Sequence, residues 1–138
     1  MTWFSWALLS ALFAGLTAVL AKVGVRDVDS NLATAIRTVV ILVFAWSIAL
    51  YRGFEPLDRV TTRTWVFLVL SGLATGASWL CYFRALQLGD ASRVAPVDKL
   101  SVVVAMILAV LFLGEQLTWK HWLGAGFIVT GSVIIATV

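Results

Sequence analysis

The stretch Val94–Leu113, VAPVDKLSVVVAMILAVLFL, is 20 residues long and apolar almost throughout, with Asp98, Lys99 and Ser101 as its polar members. A hydrocarbon core about 30 Å thick is crossed by roughly 20 residues of helix, so this run has the length of one crossing. It is apolar all round and lacks the two-residue alternation of a barrel strand, which leaves the helix as its spanning form. Working outward, four further runs read the same way: residues 3–21, 32–50, 65–82 and 121–138. The prediction is an all-α membrane protein, one domain over residues 1–138 with five transmembrane helices. Composition agrees: of 138 residues 62% are apolar and 12% charged, with two prolines and a mean hydropathy of +1.01. Such a chain is not a soluble enzyme, a nucleic-acid binder or a secreted disulfide scaffold.

The connections, residues 22–31, 51–64, 83–93 and 114–120, are too short for a soluble domain and predict antiparallel neighbours in one bundle. The longest, YRGFEPLDRVTTRT, mixes Arg52, Arg59 and Arg63 with Phe54, Leu57 and Val60 and reads as a segment at headgroup level. The first run lacks a basic leader and a clear small-residue cleavage site, so it is expected as a retained helix. The lone Cys81 has no partner for a disulfide or a thiolate metal site and reads as a small packing residue.

Aromatic placement tests the count of spans independently. With five crossings, Trp3, Trp6, Trp46, Trp65, Trp119 and Trp122 all fall at one membrane interface, where an amphipathic ring belongs. Basic residues divide evenly instead. Arg52, Arg59, Arg63 and Lys120 flank one side, Lys22, Arg26, Arg84 and Arg93 the other, and Arg37 and Lys99 lie inside spans. Orientation follows the Lys/Arg asymmetry of short loops, so a balanced count predicts insertion both ways round. The competing reading is that the N-terminal amine or Arg37 breaks the tie.

Ionisable side chains inside a span are costly in lipid and persist where they meet water, each other or a ligand. Arg37 lies about 9 Å into the second span by helical rise. Asp98 and Lys99 lie at a similar depth in the fourth, beside Pro96, whose missing N–H loosens the helix. Arg84 closes the third span on the same side. One reading makes these four a substrate and coupling site with a positive surplus, suited to an anionic or zwitterionic solute. The other makes Asp98 the neutralising partner of Arg37 or Lys99 in a packed bundle, with the long basic side chains reaching toward the surface.

Ser71, Thr75, Ser78 and Tyr82 share one face of the third span, a stripe that suits a wet cavity and close helix packing equally. Trp79 beside it reads either as a substrate contact or as core. Gly72 and Gly76 form GxxxG, and Gly124 and Gly131 lie seven apart in the last span; these are predicted packing positions, with a dimer contact as their setting. His121 and Glu115 bracket the fourth loop without further ligands nearby, so they read as interfacial and no metal site is expected. The chain has no nucleophile–base–orienter constellation and no phosphate-cradling glycine loop, so neither an enzyme nor a cofactor is expected.

From Ala85 through Gly131 the chain resembles the EamA branch of the drug/metabolite transporter superfamily. The resemblance rests on Leu88, Gly89, Asp90 and Ala91, then Ala95 and Pro96, then FLGEQLT from Phe112 to Thr118, then Gly124 and Gly131. Lys22 and Arg37 also fit, and PVDKLS from Pro96 to Ser101 is similar to the five-span bacterial and archaeal members. Family members usually carry ten helices as two inverted repeats; this chain is similar to one repeat. The resemblance implies transport of small metabolites in a bacterial or archaeal cytoplasmic membrane. Two copies inserted in opposite directions would supply the inverted repeats that alternating access needs, so it implies an antiparallel homodimer. Arg37, Asp98, Lys99, Arg84, Lys22, Pro96, Ser78, Trp79 and Tyr82 are then the candidate substrate or coupling residues. Two other readings stay open: a membrane subunit that stabilises or regulates a partner, and a lipid-carrier flippase.

Overall fold

The computed structural model describes residues 2–54 and 56–138. Its helices are α1 (Trp3–Gly24), α2 (Ser30–Arg52), α3 (Thr62–Leu88), α4 (Ala91–Asp98), α5 (Ser101–Leu108) and α6 (Trp119–Thr137). A 3-10 turn at Leu57–Arg59 lies between α2 and α3, and a π-helical turn at Ala109–Leu113 follows α5. Four stretches are long and apolar enough to cross a membrane: α1, α2, α3 and the continuous run Ala91–Leu113. The 19 residues of α6 reach about 28 Å at 1.5 Å per residue, but Lys120 and His121 in its first turn dilute its apolar character.

The helices run past the predicted spans, and local chemistry explains each end. The carboxylate of Asp29 accepts from the N–H groups of Asn31 (2.9 Å) and Leu32 (3.1 Å), so α2 starts two residues early. Gly53 ends it at φ +74°, a left-handed conformation that favours glycine, with its N–H on the Leu50 carbonyl. Gly114, at φ +68°, closes the π-helical turn in the same way. Helix α3 continues two turns beyond Tyr82, because nothing in Phe83–Leu88 breaks a helix. Thr118 opens α6, where the Thr118 N–H donates to Nδ1 of His121 at 3.1 Å. The fourth run departs most from expectation. Residues 99 and 100 form a turn between α4 and α5, three residues beyond Pro96, and the Leu100 N–H bonds the Val97 carbonyl three residues back.

Two compact units make up the chain, one joining α1 as far as Lys22 to Leu88–Val138, the other Val23–Gln87. In the second unit the buried residues gather at the start of α2 and the end of α3: Val25, Ser30, Thr34, Phe83 and Leu86. In the first unit Ala18, Ala125 and Ser132 are buried. Large apolar side chains such as Phe44, Phe67, Phe112 and Phe127 point outward. Lipid tails are as apolar as the side chains, so no hydrophobic force drives these residues inward. Four span hydroxyls donate to carbonyls one turn back in their own helices: Thr34 to Ser30, Thr38 to Thr34, Ser47 to Val43 and Thr75 to Ser71.

Candidate functional site

In the Val23–Gln87 unit, Trp79 and Phe83 stand four residues apart on α3 and so share one face. The Arg37 guanidinium of α2 lies over both rings, 4.4 Å from the Trp79 centroid and 5.4 Å from that of Phe83. Such a cation–π contact is worth about 0.5–2 kcal/mol. Among the described residues Arg37 makes no hydrogen bond or ion pair with a side chain of its own unit. Tyr82, half-buried one turn from Trp79, lies within its electrostatic range. Arg84 is engaged otherwise. Its Nη1 donates to Oε1 of Gln87 at 2.9 Å, and Gln87 Nε2 donates to the carbonyls of Val28 (2.8 Å) and Val25 (3.4 Å). Ser78 is exposed.

In the other unit the Lys22 ammonium donates to the Gly89 carbonyl at 2.7 Å and so holds the end of α1 to the turn before α4. Arg93 Nη2 donates to the Ala136 carbonyl at 3.0 Å, and the Ser132 hydroxyl donates to the Pro96 carbonyl at 2.8 Å. Lys99 and Asp98 form an ion pair at 3.7 Å. A cavity of about 420 Å³ opens beside α4, with Ala95, Pro96 and Lys99 on one wall and Phe127, Gly131 and Ile135 of α6 on the other. Arg37 thus belongs to one group, and Asp98, Lys99 and Pro96 to a second.

A third feature lies where α2 ends. Gly53 turns the chain so that Phe54 meets Trp46 edge to face at 5.9 Å, and these two rings with Leu57 and Val60 border an apolar hollow of about 430 Å³. The predicted packing glycines Gly72, Gly76, Gly124 and Gly131 have no described atom within 4 Å of where a Cβ would stand.

Sequence reading passed over Phe83, Gln87 and Ser132. For Phe83 the signal was present in its four-residue spacing from Trp79. Ser132 is masked by its setting, GFIVTGSVII, where a small polar residue after Gly131 reads as packing.

The helices and the charges inside them define an integral membrane protein with cationic side chains within its spans. The chain belongs to the EamA-like transporter family, whose profile matches residues 1–137. It is 59% identical over 136 residues to an "Uncharacterized transporter in cobO 3'region" of Sinorhizobium sp, covering 98% of this chain and 96% of that protein. It is also similar to a "Probable 4-amino-4-deoxy-L-arabinose-phosphoundecaprenol flippase subunit ArnE" of Aeromonas salmonicida, 32% identical over 69 residues, half of this chain and 60% of that one. The protein of the same description from Yersinia pseudotuberculosis is 29% identical over 82 residues, 59% of this chain and 72% of its own length. No solved structure matches the chain.

Proposed function

We propose that this protein is a secondary transporter of a small anionic or zwitterionic metabolite in a bacterial cytoplasmic membrane. In this reading residues 1–138 are one five-span domain, and two copies in opposite orientations form the working unit, exposing the solute site alternately to each side. The observation that carries the reading is Arg37: a guanidinium inside a span, over the Trp79 and Phe83 rings, whose donors no side chain of its own unit takes up among the described residues. Such a group is costly in lipid, and an anionic ligand arriving from either side would offset that cost. Asp98 is the coupling residue in this scheme, exchanging a proton as the solute binds beside Lys99 and leaves. The even division of loop Lys and Arg residues supports the dual orientation, and the open glycine faces of Gly72, Gly76 and Gly124 support close approach of a second chain.

A second reading, a flippase subunit acting on a lipid-linked phosphate, is favoured by the likeness to the flippase subunits of Aeromonas and Yersinia. The full chain reconstituted alone in liposomes separates the two. Flux of water-soluble anions that Arg37→Ala abolishes supports the transporter. Translocation of a phosphate-headed lipid, or flux only in the presence of a second polypeptide, supports the flippase subunit. Accumulation of solute in a pH gradient should vanish in Asp98→Asn while binding persists, because the amide matches the protonated acid in shape but releases no proton.

A further inference from the structure

The cavity between α4 and α6 has walls of two kinds. Ala95, Pro96, Phe127, Gly131 and Ile135 make it apolar, and the ammonium of Lys99 stands at its edge. Its volume, about 420 Å³, lies within the roughly 300–1,000 Å³ range of small-molecule sites. Two bonds tie its walls together: the Ser132 hydroxyl and Arg93 Nη2 donate to backbone carbonyls across the helix pair, at 2.8 Å and 3.0 Å, and so fix α4 against α6. Gly131 contributes no side chain, and a Cβ placed there would meet nothing within 4 Å.

Lys99 supplies the electrostatic end. Its nearest carboxylate oxygen, on Asp98, is 3.7 Å away, beyond hydrogen-bond distance, and among the described residues the ammonium donates no hydrogen bond. An ammonium carries three donors, and at the cavity edge these are in a position to meet the head of a ligand. Asp98 is not among the lining residues, so the charge that the cavity itself presents is positive.

We infer that the α4–α6 cavity binds the apolar body of an amphipathic anion, with the carboxylate or phosphate head on Lys99 and with Gly131 setting the size of the body. This rests on the transport reading above in naming the substrate class of that site. A free organic acid and a phosphate-headed lipid share the required chemistry.

The test uses the full chain in nanodiscs of phosphatidylcholine, with radiolabelled 3-phenylpropanoate as probe, acetate as the head without the body, and phenethylammonium as the body with the opposite charge. Binding of 3-phenylpropanoate at least tenfold tighter than either control is expected. Gly131→Leu, which fills the cavity, and Lys99→Ala, which removes the charge, should each weaken it at least tenfold, and Lys99→Arg should retain it. Gly131→Ala, a smaller intrusion, should fall between parent and Leu, and unchanged helical content and thermal midpoint show that each variant is folded. Equal binding of acetate and 3-phenylpropanoate, or parental binding in folded Gly131→Leu, overturns the inference. Displacement of the probe by phosphatidate added to the nanodisc assigns the site to a lipid head; its failure to displace assigns it to a free acid. Anion flux that needs Arg37 but survives Gly131→Leu sinks the cavity and leaves the transporter standing. Binding that needs Gly131 and Lys99 without any flux does the reverse.

Discussion

Arg37 illustrates how a charge is kept inside a span. Its guanidinium lies 4.4 Å from the Trp79 centroid and 5.4 Å from that of Phe83, a contact that a planar, weakly hydrated guanidinium keeps better than a compact, strongly hydrated ammonium. Arg37→Lys should therefore act as a loss and not as a conservative change, lowering anion uptake in liposomes by about twofold to thirtyfold, the equivalent of the 0.5–2 kcal/mol of the contact. Trp79→Ala should do the same with the charge intact. Uptake equal to the parent in both variants would show that the stack only stores the side chain. Arg84 and Lys22 contrast with this residue: each spends donors on its own fold, through Gln87 and through the Gly89 carbonyl. Their substitution should lower thermal stability more than it lowers affinity.

At the scale of elements, the fourth span is where a simple helix gives way. Pro96 cannot donate to the carbonyl four residues back, and the chain then turns at residues 99 and 100 before α5 resumes. The Pro96 carbonyl accepts from the Lys99 N–H at 3.1 Å, and its second lone pair takes the Ser132 hydroxyl of the neighbouring helix at 2.8 Å. Ser132→Ala should lower the free energy of unfolding in detergent or bicelles by about 0.5–2 kcal/mol, in line with interhelical hydrogen bonds in membrane proteins. Ser132→Thr should recover most of it. At the start of α2, Asp29→Ala should cost about 1 kcal/mol through loss of the two cap bonds, read as earlier fraying of residues 30–34 in hydrogen exchange.

For the whole molecule the proposed antiparallel pair makes two demands. Insertion must be possible in both directions, and some face must admit a second backbone. Adding two or three Lys residues to the loops of one side should place every copy in one orientation and abolish flux, and co-expression of oppositely biased variants should restore it. Accessibility labelling that finds the unmodified chain in a single orientation counts against the pair. Gly72→Leu and Gly76→Leu should shift the protein from dimer toward monomer, since neither glycine has a described neighbour within 4 Å of an added Cβ in its own chain. Unchanged mass in solution for both would mean that this face of α3 looks at lipid.

Apolar run length was legible from local composition, because crossing a bilayer is a demand each segment meets alone, whereas the helix ends at Asp29, Gly53 and Gly114 emerged only with the backbone geometry. Charges within spans were legible for the same reason, each being conspicuous in its own helix. What each charge meets was not. The stacking of Arg37 on Trp79 and Phe83 joins residues more than forty positions apart, and the bond from Ser132 to Pro96 joins residues 36 apart. Nor does composition mark the cavity beside Lys99, which is bordered by α4 and α6 together and in which Gly131 leaves space for a side chain. Spacing along a helix settles which residues share a face; only the packing of one helix against another decides what that face touches.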